Sequence, residues 1–145
     1  MRIVIGADQG GVELKKDLCE RLIEAGHEVK NLGLDEAVSI DYPDKAVEVC
    51  RCLLDEKYDC GIIVCGTGIG VSIAANKVPG IRAAHLADCY SARMAREHND
   101  ANVITLGGRT LGTELAFAIV ESYLQAEFAG GRHQRRVDKI NALDK

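Results

Sequence analysis

Short apolar runs alternate with amphipathic segments along the whole chain, and this alternation limits the fold more than any other feature. The runs have the length of buried strands, and they cover Arg2–Ala7, His27–Leu32, Cys60–Cys65, Ile81–Leu86 and Asn102–Leu106. Strands that alternate with helices form parallel βαβ units. We therefore predict an α/β fold, a three-layer α/β/α sandwich around a five-stranded, parallel, Rossmann-like sheet.

Apolar residues at helical spacing fill the segments between the runs. The first predicted helix covers 11–25, and the second begins near Pro43. The third covers 70–77, the fourth runs from an Asp88 cap to Glu97, and the fifth covers 112–128. A basic helix follows Gly130 and Gly131. No linker, repeat or low-complexity stretch interrupts the pattern. We expect one domain spanning residues 1–145.

Composition excludes several classes of protein. The 18 basic and 22 acidic residues give a net charge of −4, which argues against nucleic-acid binding because that needs a dominant basic face. No stretch approaches the roughly 20 apolar residues of a membrane span, and the N-terminus lacks the pattern of a signal peptide. We expect a cytoplasmic protein that binds neither nucleic acid nor membrane.

The six cysteines show no zinc-binding spacing, since Cys50 and Cys52 form a C-x-C and no C-x-x-C occurs. Most fall within apolar patterns, where a reduced cysteine acts as a small hydrophobic residue. Cys65 differs because it ends a predicted strand just before a glycine-rich loop. We expect no metal and no cofactor.

The loop after the third strand is the most specific motif. It reads Cys65-Gly66-Thr67-Gly68-Ile69-Gly70. Alternating glycines between a strand and a helix let backbone N–H groups face an anion or a developing oxyanion. The alternative is a βα turn whose glycines serve packing. The loop is not a dinucleotide fingerprint, because Val71 stands where a glycine is required, and it is not a P-loop.

Other candidates each have a plain structural alternative. Asp8 follows the first strand and can bind sugar hydroxyls or cap a helix. Arg132 and Arg136 share one helix face and can bind a phosphate. The alternative is that they belong to a solvated basic tail. His98 can be a capping residue. It precedes the fifth strand, at the sheet edge opposite Cys65, so in a site shared with Cys65 it must come from another subunit.

These motifs together resemble the sugar-phosphate isomerase family of ribose-5-phosphate isomerase B, which includes the allose-6-phosphate and galactose-6-phosphate isomerases. The resemblance runs in order from about residue 2 to 140. The blocks that carry it are Gly6-Ala7-Asp8, Asp41-Tyr42-Pro43, the 65–70 loop, Ser72-Ile73-Ala74-Ala75-Asn76-Lys77, Glu97-His98-Asn99-Asp100-Ala101-Asn102 and Gly130-Gly131-Arg132-His133.

The resemblance implies an aldose-ketose isomerase that works through a cis-enediolate without metal or cofactor, in a homodimer whose sites are shared between subunits. It makes Cys65 the base and Thr67 its hydrogen-bond partner, and it assigns ring opening to His98. It also implies that the substrate-binding residues are Asp8, Gln9, Gly66, Gly68, Ile69, Gly70, Asn99, Arg109, Arg132 and Arg136. Pairing of dimers into tetramers is left open.

One position departs from the family pattern. Many members have histidine where this chain has Gln9, and glutamine can donate a hydrogen bond but carries no charge. We expect ribose 5-phosphate as substrate, with a six-carbon aldose phosphate as the alternative. A different class, a catalytically silent sugar-phosphate binder, is disfavoured because Cys65, Thr67 and His98 are all present. A cysteine hydrolase would need a histidine or aspartate of the same subunit beside the thiol, and the best histidine, His98, is predicted at the opposite edge.

Overall fold

A computed structural model describes residues 1–145 as one parallel sheet covered by helices on both faces. The strands are β1 (Arg2–Ala7), β2 (Glu28–Asn31), β3 (Cys60–Cys65), β4 (Ala83–His85) and β5 (Val103–Gly107). The helices are α1 (Val12–Glu24), α2 (Tyr42–Asp55), α3 (Ile69–Ala75), α4 (Cys89–Glu97), α5 (Thr113–Gln125) and α6 (Arg132–Asn141). The predicted fold class is confirmed.

The strand order is β2-β1-β3-β5-β4, and every pairing is parallel. The three central strands β1, β3 and β5 therefore end side by side. Cys65 pairs with Gly107 in the register of β3 and β5, and the Asp8 backbone N–H donates to the Val64 carbonyl at 3.1 Å. This order places Asp8 beside the strand end that carries Cys65.

Successive side chains of each strand point to opposite faces of the sheet, which divides the core into two layers. Ile3 and Ile5 of β1 pack with α1, α4 and α5 on one face. Val4 faces the opposite side and packs with α2 and α3. Cys65 belongs to this second layer and is 6% exposed, so its thiol lies on the side covered by α3.

Several elements are shorter than predicted, and β4 and the fifth helix differ most. β4 keeps only Ala83–His85 of the predicted 81–86, because the Ile81 N–H turns back to Val78 and the Arg82 N–H donates to the Asn102 side chain. The fifth helix ends at Gln125 instead of 128. There the chain becomes extended, and the Ala129 N–H donates to the Glu97 carbonyl at 3.0 Å.

None of the six cysteines is disulfide-bonded. Burial raises the pKa of Cys50 to about 12 and that of Cys60 to about 12. These two thiols are uncharged packing groups, as the sequence predicted. No helix has both the length and the apolar character needed to cross a lipid bilayer.

Candidate active site

The carboxyl ends of β1, β3 and β5 bring three loops into direct contact. A Cβ on Gly10 would lie 2.7 Å from the Gly66 nitrogen, and one on Gly108 would lie 2.5 Å from the Gly10 carbonyl oxygen. Side chains at these positions would force the loops apart. The glycines thus allow the backbone of all three loops to line one small surface at the carboxyl edge of the sheet.

Cys65 sits at the centre of this surface with a hydrogen bond to its sulfur. The Gly68 backbone N–H donates to the Cys65 Sγ at 3.0 Å. Such a donor stabilises negative charge on sulfur, which is the form of cysteine that acts as a base or nucleophile. The Thr67 hydroxyl accepts from the Ile69 N–H at 3.2 Å. The hydrogen bond to the thiol comes from the backbone of the loop and not from this hydroxyl.

Charged and polar groups flank the thiol on both sides. The Asp8 carboxylate is 7% exposed, and its Oδ1 accepts from the Gly10 N–H at 2.9 Å. This leaves Oδ2 for a ligand hydroxyl. On the other side the Arg109 guanidinium lies against Gly66, with its Nη1 3.1 Å from where a Cβ would stand. The edge therefore combines an anion and a cation around Cys65.

The segment before α2 forms another wall. The Gln9 Oε1 accepts from the Ile40 N–H at 3.1 Å, which ties this segment to the end of β1. Two residues later Tyr42 stands over the loop, because a Cβ on Gly70 would lie 2.8 Å from the Tyr42 hydroxyl oxygen. The Gln9 amide N–H groups remain for a ligand.

A second cluster of predicted site residues lies at the opposite edge of the sheet. His98 caps the end of α4, and its ring stacks on that of His133, with centroids 4.2 Å apart and planes 10° from parallel. Arg132 and Arg136 lie on the first turns of α6 beside this stack. Asn99 follows His98 in the same loop.

This second cluster is electropositive. Partial burial, together with the neighbouring His98, Arg132 and Arg136, lowers the pKa of His133 below its usual value. Protonation of His133 would add charge beside two guanidinium groups that are already positive. The cluster is suited to an anion such as a phosphate.

The structure thus divides the predicted site residues between two edges. Cys65, Thr67, Asp8, Gln9 and Arg109 lie with the glycine loop at the carboxyl edge, whereas His98, Asn99, Arg132 and Arg136 lie at the amino edge. This is the separation that the sequence predicted for Cys65 and His98. One subunit does not unite the two groups.

Sequence reasoning found no partner for His85, yet its Nε2 lies 2.8 Å from the Thr67 carbonyl oxygen. It also assigned no role to Tyr42 or His133, which contact Gly70 and His98. Tyr42 and His133 lie within the blocks that carry the family resemblance, so a signal existed for them. His85 lies outside those blocks.

Comparison with known proteins gives consistent matches. The model of the Ribose/Galactose Isomerase family matches residues 3–140. The chain is 44% identical over 143 residues to ribose-5-phosphate isomerase B of Escherichia coli (strain K12), covering 99% of this chain and 96% of that protein. It is also 44% identical over 141 residues to D-erythrulose-4-phosphate isomerase of Pectobacterium atrosepticum, covering 97% and 93%.

Solved structures agree with these matches. Ribose-5-phosphate isomerase B of Clostridium thermocellum superposes with a TM-score of 0.96 at 50% identity, covering 99% of this chain and 97% of that one. The enzyme of Mycoplasma genitalium, solved with bound ribulose-5-phosphate, superposes with a TM-score of 0.91 at 41% identity, covering 97% and 94%. Both comparisons cover nearly the whole fold.

Proposed function

The chain belongs to the ribose/galactose isomerase family, and we propose that it interconverts ribose 5-phosphate and ribulose 5-phosphate. The observation that carries this proposal is the Cys65 thiol, held at 3.0 Å by the Gly68 N–H between Asp8 and Arg109. An aldose-ketose isomerase needs one base that serves two adjacent carbons. A single buried thiol in a pocket of hydrogen-bond donors provides such a base.

In this mechanism the Cys65 thiolate removes the proton from C2 of the open-chain aldose. The electron pair forms the C1–C2 double bond, and negative charge moves onto the C1 oxygen to give a cis-enediolate. The thiol then returns its proton to C1, and the proton of the C2 hydroxyl moves to the C1 oxygen, so that C2 becomes the ketone carbon and C1 carries the new hydroxyl. No atoms are gained or lost, so the reaction needs no co-reactant.

The glycine loop stabilises the charge that develops on the enediolate oxygens. The Gly68 and Ile69 N–H groups bond to Cys65 and Thr67, so this role falls to the other backbone N–H groups of residues 66–70, which are preorganised by the loop contacts and cost no rearrangement during the reaction. One such donor is worth about 3 kcal/mol of barrier. Asp8, through its Oδ2, holds a hydroxyl of the substrate so that C1 and C2 face the thiol.

Ring opening requires an acid that protonates the furanose oxygen, and His98 is suited to this because histidine titrates near neutral pH. His98 lies at the other edge of its own subunit, so we place it in the site of a second copy of the chain. Asn99 then binds substrate hydroxyls, and Arg132 and Arg136 bind the phosphate. Arg109, beside Gly66, contacts the substrate from the first subunit.

A second candidate substrate differs from ribose 5-phosphate in the length of its carbon chain. D-erythrulose-4-phosphate isomerase of Pectobacterium atrosepticum and ribose-5-phosphate isomerase B of Escherichia coli are each 44% identical to this chain. Gln9 offers a neutral amide where many family members have histidine. Because of this difference at Gln9, a six-carbon aldose phosphate is the second candidate, and Gln9 is the residue that would select it.

The test is ketose formation by the purified protein from ribose 5-phosphate, allose 6-phosphate and galactose 6-phosphate, assayed side by side. We expect ribose 5-phosphate to give the highest kcat/KM, within the range of about 10⁴–10⁸ M⁻¹s⁻¹ typical of enzymes. A preference for a six-carbon sugar would keep the mechanism and change the substrate. No turnover of any of them by folded protein would refute the ribose assignment and favour a sugar-phosphate binder.

A further inference from the structure

Two side chains on the neighbouring strands β4 and β5 hold successive carbonyl groups of the glycine loop. The His85 Nε2, at the end of β4, bonds to the Thr67 carbonyl oxygen at 2.8 Å. The Thr105 Oγ1, in β5, donates to the Gly68 carbonyl oxygen at 2.7 Å. His85 and Thr105 are register partners in the β4–β5 pair. We call this pair of residues the carbonyl clamp.

The proton positions in the clamp follow from its acceptors. A carbonyl oxygen can only accept a hydrogen bond, so the His85 Nε2 carries a proton and the Thr105 hydroxyl donates. Thr105 is fully buried, whereas His85 is exposed. The clamp thus has one donor in the core and one at the surface.

Each clamped carbonyl fixes the N–H group on the opposite side of the same planar peptide. The Thr67 carbonyl shares its peptide with the Gly68 N–H, which donates to the Cys65 Sγ at 3.0 Å. The Gly68 carbonyl shares its peptide with the Ile69 N–H, which donates to the Thr67 hydroxyl at 3.2 Å. Rotation of either peptide would lose two hydrogen bonds at once.

The residue between these peptides cannot supply that rigidity itself. Gly68 has φ +81° and ψ −2°, and a Cβ there would lie 2.8 Å from the Leu106 carbonyl carbon and 2.9 Å from the His85 Cδ2. Only glycine is tolerated in this space, and glycine is also the most flexible residue. External hydrogen bonds are therefore needed to hold the loop in one conformation.

We infer that His85 and Thr105 are positioning residues that orient the Gly68 N–H toward the Cys65 sulfur. Neither residue touches the substrate in this account, and both act through the backbone of the loop. The expected effect on isomerisation rests on the proposed function. The orientation of the N–H group does not, because it follows from contacts within the chain.

The test uses His85→Leu and Thr105→Val, each of which removes a hydrogen-bond donor to the loop. The conservative variants His85→Gln and Thr105→Ser each keep a side-chain donor at the same position. Since a misplacement of about 1 Å in an active site can cost 10²-fold in rate, we expect each removal to lower kcat roughly tenfold. KM should change little, because the groups proposed to bind phosphate are untouched. The conservative variants should recover most of kcat.

A second readout needs no turnover. Iodoacetamide reacts with the thiolate form of cysteine, so its rate at Cys65, followed by mass spectrometry, reports how well the loop stabilises that form. We expect slower alkylation of Cys65 at neutral pH in His85→Leu and Thr105→Val. The matched control is His27→Leu, since His27 bonds at 3.1 Å to the N-terminal amine and not to the loop.

Unchanged kcat and unchanged alkylation in folded His85→Leu would overturn the inference, and so would a loss that the conservative variants do not recover. His85→Leu alters an exposed side chain, so it decides the matter even if Thr105→Val, in the core, fails to fold. Slower alkylation in a protein that isomerises no sugar phosphate would refute the proposed function and leave the clamp supported.

Discussion

Replacing Cys65 with alanine should reduce isomerisation by about 10³-fold or more, because the proposed reaction then lacks its base. General acid–base groups typically contribute 10²–10⁴-fold in rate, and no other side chain takes the position of the Cys65 sulfur beside the Gly68 N–H. The measurement is kcat for ribose 5-phosphate in the purified variant. Near-native kcat would show that the base has been assigned to the wrong residue.

The control for this variant lies on the same strand. Cys60 begins β3, as Cys65 ends it, and both are free and buried. We expect Cys60→Ala to keep most of the activity, because Cys60 lies at the opposite edge from the glycine loop. Circular dichroism and thermal melting should show that both variants fold, so that a difference in kcat reflects chemistry.

Replacing His98 with asparagine should lower the rate on ribose 5-phosphate by about 10²-fold, the lower part of the range for a general acid. The loss should be much smaller on a four-carbon aldose phosphate such as erythrose 4-phosphate. Its C4 oxygen carries the phosphate, so it has no furanose ring to open. Initial rates on both substrates, relative to the unchanged protein, measure the difference.

Two results would count against this role for His98. An equal loss on both substrates would assign His98 to binding or to the proton transfer itself, and full activity on ribose 5-phosphate would exclude it from the reaction. His27→Asn is the matched control, because the His27 ring bonds to the N-terminal amine and to none of the proposed site residues. It should behave as the unchanged protein on both sugars.

Features set by local sequence could be predicted well. β1 and β3 have the predicted bounds, Arg2–Ala7 and Cys60–Cys65, because continuous apolar runs between polar or glycine residues mark buried strands. Asp88 caps α4 as predicted, with its carboxylate accepting from the Ser91 N–H at 2.6 Å. The position of Cys65 before the glycine loop follows from the same pattern.

Features that depend on contacts between distant segments could not be read from the residues alone. The His85–Thr67 bond requires β4 at the sheet edge beside β5, and nothing near residue 85 in the sequence indicates that strand order. The stacking of His98 on His133 depends on where α6 docks. The early end of α5 has the same cause, because the chain leaves the helix to reach the end of α4.

We propose that one active site combines Cys65 of one subunit with His98 of another. A complementation experiment mixes inactive Cys65→Ala and His98→Asn proteins, exchanges their subunits, and assays ribose 5-phosphate isomerisation. Random pairing makes half of the dimers mixed, each with one intact site of two, so about a quarter of the original activity should return. If exchange occurs and no activity returns, the two residues do not share a site across subunits.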